Sequence, residues 1–232
     1  MNNGWPHSIQ PLLKDFPENS VAIVMSVRDN LKFFKLAFHS IMSFTSHPFH
    51  FVIIDNLGSF PTKNYLKRLQ KNHPIHVIQY PNEFNFAAQL NLGFNYSFTF
   101  SQIKYGLAIH SDAVVEPNWI NKLLHALARE SAGGCVGPEA GDHYLLFKRE
   151  VFHKLSGFDE KYGGHSLVLR DFAARSEREG WKLITDTDTD IHHFYQTQMR
   201  EGIITTNHYE DDKKLFFSKF KQEANNESIR PK

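Results

Sequence analysis

Asp112 is the residue whose type and setting say most about chemistry. It follows an apolar run, Gly106-Leu107-Ala108-Ile109, and precedes Ala113-Val114-Val115, so a carboxylate is held between apolar neighbours. A hard divalent cation bridging two phosphates needs such an oxygen ligand, and Mg2+ or Mn2+ commonly takes only one or two protein carboxylates. A turn aspartate satisfying backbone N–H groups has the same local sequence, so spacing alone leaves both readings open. Asp55, heading Asp55-Asn56-Leu57-Gly58-Ser59, can accept hydrogen bonds from a donor-bearing ligand or hold a turn. Arg28-Asp29-Asn30 and His110-Ser111-Asp112 complete three polar clusters. His192 and His193 are metal-ligating types in a predicted strand. Alternation sends them to opposite faces, so at most one serves any given site, with His193 favoured. Asp171 and Arg175 are four apart with the acid first, the better order for a helical ion pair. Trp119 and Trp181 read as packing residues, and Cys135 as a small buried one.

These side chains need elements to position them. Apolar runs predict strands at residues 21–26, 49–54, 75–79 and 105–109, alternating with helical spacing over 31–43, 63–71 and 86–98. Residues 110–114 read as a loop or bulge, and Pro117 opens a further helix. Strand–helix alternation of this kind predicts an α/β fold with parallel pairing and right-handed crossovers. Ligands then bind beyond the carboxyl ends of the strands, where the three polar clusters fall. After Gly133-Gly134 the pattern loosens: strands at 144–147, 182–185 and 190–194, helices at 150–155 and 166–179, and an amphipathic helix from Asp211 before a polar end.

Composition narrows the classes. A chain of 232 residues with 41% hydrophobic and 22% charged residues reads as one globular domain. A net charge of +1 gives no case for nucleic acid as partner. One cysteine excludes a disulfide framework and a zinc-cysteine cluster. Neither a basic, apolar leader nor a stretch of ~20 apolar residues is present, so a soluble, cytoplasmic protein is expected. Peripheral membrane contact through exposed aromatics stays open. No Gly-X-Gly-X-X-Gly turn follows the first strand, which disfavours a Rossmann dehydrogenase or methyltransferase.

Six segments, in order, resemble glycosyltransferase family 2 with the GT-A fold: VAIVMSVRDNLKFFKLAFHSI, HFVIIDNLGS, NEFNFAAQLNLGFNYS, YGLAIHSDAVVEPNWINKLLHAL, HYLLFKREVFHKLSGFDEKYGG, and DFAARSEREGWKL followed by IHHF. The resemblance implies a Rossmann-like, mostly parallel central sheet flanked by helices, with a smaller C-terminal acceptor-side portion. One domain would cover 1–232: a nucleotide-sugar half at about 20–140, an acceptor half at about 141–195, and a helix and tail at 205–232. It implies a UDP- or GDP-sugar donor, a glycan or other hydroxyl acceptor, a divalent metal (Mn2+ or Mg2+) and inversion at the anomeric carbon. Carried over residue by residue, Val27, Arg28, Asp55, Asn85, Asn91, Ser111 and Asp112 would lie on the nucleotide sugar, and Asp112 and His193 on the metal.

Two departures stand out. His110 occupies the first acid of the family's Asp-X-Asp motif, leaving Asp112 as the second. Val168 and Leu169 occupy the Glu-Asp pair that supplies the usual catalytic base. The remaining base candidates are His165, in Gly163-Gly164-His165, then Glu160 beside Asp159, and Asp171. The missing acid pair also fits an alternative, a non-catalytic GT-A-like module that binds nucleotide sugar or glycan without transferring it.

Overall fold

The computed structural model describes residues 16–138, 143–195, 197 and 208–220. The first half alternates strand and helix: β1 (Ser20–Val27), α1 (Leu31–Phe44), β2 (Phe49–Asn56), α2 (Phe60–Asn72), β3 (Ile75–Tyr80), α3 (Phe86–Ser97) and β4 (Ile103–Ile109). Then come β5 (Ala113–Val115), α4 (Trp119–Arg129), β6 (Gly133–Pro138), β7 (Tyr144–Lys148), α5 (Arg149–Lys154), α6 (Val168–Arg178), β8 (Lys182–Asp186), β9 (Ile191–His193) and α7 (Tyr209–Phe220). Seven strands form one sheet in the order β3-β2-β1-β4-β7-β6-β8, and β5 and β9 form a separate ribbon.

Strand alternation divides the core into two layers. Val21, Ile23, Met25 and Val27 of β1 face α1, α2 and α4, while Ala22 and Val24 face α3, α5 and α6. All six are excluded from solvent. Burial on both faces is what a central parallel strand requires, and it explains the unbroken apolar run in β1. Gly93 lets α3 lie close on this strand, since a Cβ there would stand 2.5 Å from Val24.

The parallel pairing expected for the first four strands is present: β3, β2, β1 and β4 pair parallel in sequence. It stops at β4, whose other neighbour β7 is antiparallel, with Tyr105 opposite Lys148 and Ile109 opposite Tyr144. The cause is length: only five residues separate β6 from β7, too few for the crossover a parallel pair requires, so those two strands must oppose. Residues 110–114, expected as loop or bulge, include the start of β5, whose Ala113 pairs with His193 of β9. Strand β6 has no apolar alternation to reveal it. Its Gly134 is demanded by close approach, as a Cβ would meet Trp181 at 2.6 Å. Trp119 and Cys135 are buried, the indole N–H donating to Thr45 Oγ1 at 3.0 Å. The C-terminal helix begins two residues before Asp211, and the polar end expected to fray lies outside the described residues.

Candidate functional site

Because β1, β2 and β4 run parallel, their carboxyl ends open on one rim, with Val27 level with Asp55. Beyond β1, Asp29 and Asn30 both adopt left-handed backbone (φ 53° and 59°), a conformation Asp and Asn tolerate better than most residues. The Asp29 carboxylate accepts from the Ser59 N–H (2.8 Å), the Ser59 hydroxyl (2.6 Å) and the Thr62 hydroxyl (2.7 Å). Partial burial works to raise its pKa, but these hydrogen bonds hold it below the usual value. Val27 is buried, so its backbone alone can face a ligand, while Arg28 is half-buried on the rim. Asp55 is buried as well. One of its oxygens accepts from the Gly58 N–H (3.0 Å) and the other from the Gln79 amide (2.9 Å), so it holds the β2 exit loop against β3.

Asp112 lies at the exit of β4, 8% exposed. Its Oδ1 is 2.9 Å from His193 Nε2, and its Oδ2 accepts from the Thr197 hydroxyl at 2.7 Å. Thr197 in turn accepts from the Asn30 amide at 2.6 Å, which ties the β1 exit to the β4 exit. His110 Nδ1 lies 3.3 Å from the same His193 nitrogen. The β5–β9 pairing produces this convergence. It turns His193 toward Asp112 and leaves His192 exposed beside Glu116, 3.1 Å away. Ser111 is buried.

Four histidines crowd this point. His143 stacks on His193 (centroids 4.8 Å apart, 12° between planes), and His165 meets His110 edge-on at 5.3 Å. Burial pushes the His110 pKa well down, with His165 and His193 adding to the effect, and takes His143 to about 4; burial lowers His165 too. Near pH 7 the His110, His143 and His165 rings are neutral and keep lone pairs. Burial would raise the Asp112 pKa, yet the hydrogen bonds with His193 and the Thr197 hydroxyl hold it far below the carboxylate range.

This donor set fits a divalent metal. One ligand atom each from His110, Asp112 and His193 lies within 4.8 Å of the others. His193 Nε2 carries at most one proton, yet it stands between an acceptor oxygen and the His110 nitrogen, so lone pairs converge on one point. Two imidazoles with one carboxylate suit a borderline transition ion. His110 Nε2 and His193 Nδ1 are buried without a hydrogen-bond partner.

At the start of α3, Asn85 caps the helix by accepting from the Ala88 N–H and donates to the Glu160 carbonyl, both through its side chain. Asn91 is buried, donating to the Phe158 carbonyl (2.9 Å) and Glu160 Oε1 (2.8 Å) and accepting from the Phe158 N–H (2.8 Å). Both amides thus hold the loop at residues 157–160. Glu160 is exposed at its edge. Asp171 is 0% exposed and receives Tyr162 OH (2.9 Å), Arg175 Nε (2.7 Å) and Lys219 Nζ (2.6 Å). Val168 and Leu169 are buried in the second core layer. His165 alone among the base candidates contacts the histidine cluster. Its loop is held by Asp212 of α7, whose carboxylate accepts from Gly163 N–H (2.9 Å) and Gly164 N–H (2.8 Å). Sequence reasoning missed His143, Thr197 and Asp212. No motif marks them, and only the strand pairing and helix docking bring them here.

An α/β sheet with helices on both faces and an acid flanked by histidines at the β4 exit defines a GT-A type glycosyltransferase scaffold. The sequence profile of glycosyl transferase family 2 matches residues 20–140, and the chain belongs to that family. No curated protein matches it in sequence. Among solved structures it is similar to the mannosyltransferase PcManGT from Pyrobaculum calidifontis, determined with GDP-Man and Mn2+ (TM-score 0.68, 15% identity, 98% of this chain and 70% of that one). It is also similar to residues 1–349 of TarS from S. aureus in complex with UDP-GlcNAc (TM-score 0.58, 10% identity, covering 73% and 57%). A third is GalNAc-T7 with UDP, GalNAc and Mn2+ (TM-score 0.60, 12% identity, covering 76% and 43%). The chain therefore spans little more than half of that TarS segment and less than half of GalNAc-T7. At these identities the likeness is one of fold.

Proposed function

We propose that this chain transfers a sugar from a nucleoside diphosphate sugar, UDP- or GDP-linked, to an acceptor hydroxyl, with inversion and with a divalent metal, Mn2+ or Mg2+. The observation that carries the reading is the convergence of His110, Asp112 and His193 at the exit of β4, the strand next to β1. His110, Asp112 and His193 would hold the ion, which when bound offsets charge on the departing diphosphate. Thr197 and Asn30 fix the Asp112 carboxylate. The Val27 and Arg28 backbone and the Ser111 region line the rim where the donor would lie, and Asp55 shapes its floor through Gly58 and Gln79.

His165 is the base that best fits the geometry. Its ring is neutral near pH 7 and stands beside the cluster, able to take the proton from an attacking hydroxyl. Asp171 is committed to Arg175, Lys219 and Tyr162, a positioning role for α6 and α7, and Glu160 is held by Asn91. Residues 20–140 form the donor half and 141–195 the acceptor half in this reading.

Purified protein with Mn2+ and a panel of UDP- and GDP-sugars tests it. Nucleoside diphosphate release that depends on acceptor and disappears in Asp112→Ala is expected, and release that survives this substitution contradicts the metal role. One observation favours the rival, a binding module without turnover: Val168 and Leu169 point into the core where the family has its acid pair. Tight donor binding with no turnover over many acceptors decides for the rival.

A further inference from the structure

The chain is nearly neutral overall, yet one flank is not. Helices α1 and α2 hold Lys32, Lys35, Lys63, Lys67, Arg68 and Lys71 and contain no Asp or Glu, although the chain has 25 acids. All six cations are exposed. Among the described residues none of them forms an ion pair. The helices are neighbours, with Lys35 Nζ and Arg68 Cζ 5.0 Å and 5.7 Å from the same Tyr65 ring. Their first turns meet where Asp29 binds Ser59 and Thr62. The nearby acids are engaged: Asp29 by those hydroxyls, Glu116 by His192, and Asp190 by Lys122.

Apolar side chains crest the same flank at the rim of the site. Phe60, the first residue of α2, is 76% exposed, and Leu36 on α1 is 47% exposed. Leu57 is 45% exposed and holds left-handed backbone (φ 55°), an unfavourable conformation for a leucine that turns it outward from a buried strand end. Phe194, 40% exposed, extends the crest by packing against Phe33 of α1 (centroids 5.0 Å). Exposed apolar tips on a pair of helices whose only fixed charges are cationic match an anionic bilayer surface. There the tips enter the acyl boundary while the lysines stay among the headgroups. An acidic protein partner would leave the protruding tips without an apolar pocket. Among the described residues no helix is long and apolar enough to cross a membrane.

We propose that the α1–α2 flank, with Leu57 and Phe60 at its tip, docks this protein on an anionic lipid surface with the mouth of the site turned toward it. Co-sedimentation of the full chain with phosphatidylcholine vesicles and with equal mixtures of phosphatidylcholine and phosphatidylserine tests this, whatever the enzyme's activity. Binding to the mixed vesicles alone is expected, weakening with salt. Each lysine near the surface contributes about a fivefold change in partition, so K63Q/K67Q/K71Q should lower it by roughly a hundredfold. Phe60→Ser, at a position too exposed to unfold the chain, should weaken binding, and Phe60→Trp should give blue-shifted emission on the vesicles. Equal binding to neutral vesicles, no binding to either, or binding unmoved by these variants overturns the proposal. So does equally tight capture of soluble polyglutamate that ignores Phe60→Ser, which would make an acidic polypeptide the occupant.

Discussion

His193 Nε2 lies 2.9 Å from Asp112 Oδ1, although 81 residues separate them in the chain. The contact exists because β9 pairs with β5 in a register that sets His193 opposite Ala113. A cation taken up by these two residues replaces a hydrogen bond with coordination. The first prediction follows from that exchange. Saturating Mn2+ should stabilise the protein by about 3–4 kcal/mol at a hundred to a thousand times Kd, read as a rise in Tm. Asp112→Ala and His193→Ala should abolish the rise, and His192→Ala should leave it intact. A shift that persists in Asp112→Ala refutes the assignment.

His165 and Asp171 separate chemistry from architecture. If His165 takes the acceptor proton, His165→Ala lowers kcat by about 10²–10⁴-fold while the affinity for the nucleoside diphosphate and Tm stay near wild type. Calorimetric titration with UDP and GDP beside turnover assays distinguishes the two. An unchanged kcat would move the base elsewhere.

Asp171→Ala should act on stability instead. It strands Lys219 and Arg175, each about a fifth exposed, around a vacated buried site. Removing one partner of such a network costs about 3–5 kcal/mol, measurable by urea unfolding. A loss below about 1 kcal/mol would show that α7 is held mainly by Leu215 and Phe216 in the second core layer.

His50 sets an acid limb. It is buried among Phe16, Tyr96 and Phe100, its Nδ1 has no partner, and burial drives its pKa down to about 3, helped by nearby His76. The unfolded chain therefore takes up the proton first, and stability falls as pH drops from about 6.5 toward 3. The slope reaches about 1.4 kcal/mol per pH unit for this one group. His50→Phe should flatten the limb in a denaturation series across that window, and an identical slope would exclude His50 as its source.

The strands and helices of the first half are readable from local pattern because strands buried on both sheet faces read as unbroken apolar runs and each helix buries a stripe that repeats every 3.6 residues. β6 lacks that signal, since the Gly133-Gly134 pair answers to Trp181 and Leu127 rather than to its own period. β5 is three residues long and takes its identity from β9. Polar residues at the strand ends are visible in sequence, but their tasks are not. Asn85 and Asn91 turn to the loop at 157–160, and Asp55 to Gly58 and Gln79, because a buried amide or carboxylate must find its partners nearby.

The sequence by itself determined the α/β alternation, the rim on which polar residues gather, the lone acid after β4, and the absence of the Glu-Asp pair. Only the tertiary structure decided that His110, His143, His165 and His193 surround that acid, that Thr197 and Asn30 brace it, and that α7 grips the His165 loop. The physical reason is range. Periodicity records what each segment needs from water and core, whereas a site of this kind is assembled by strand register and helix docking between residues dozens of positions apart.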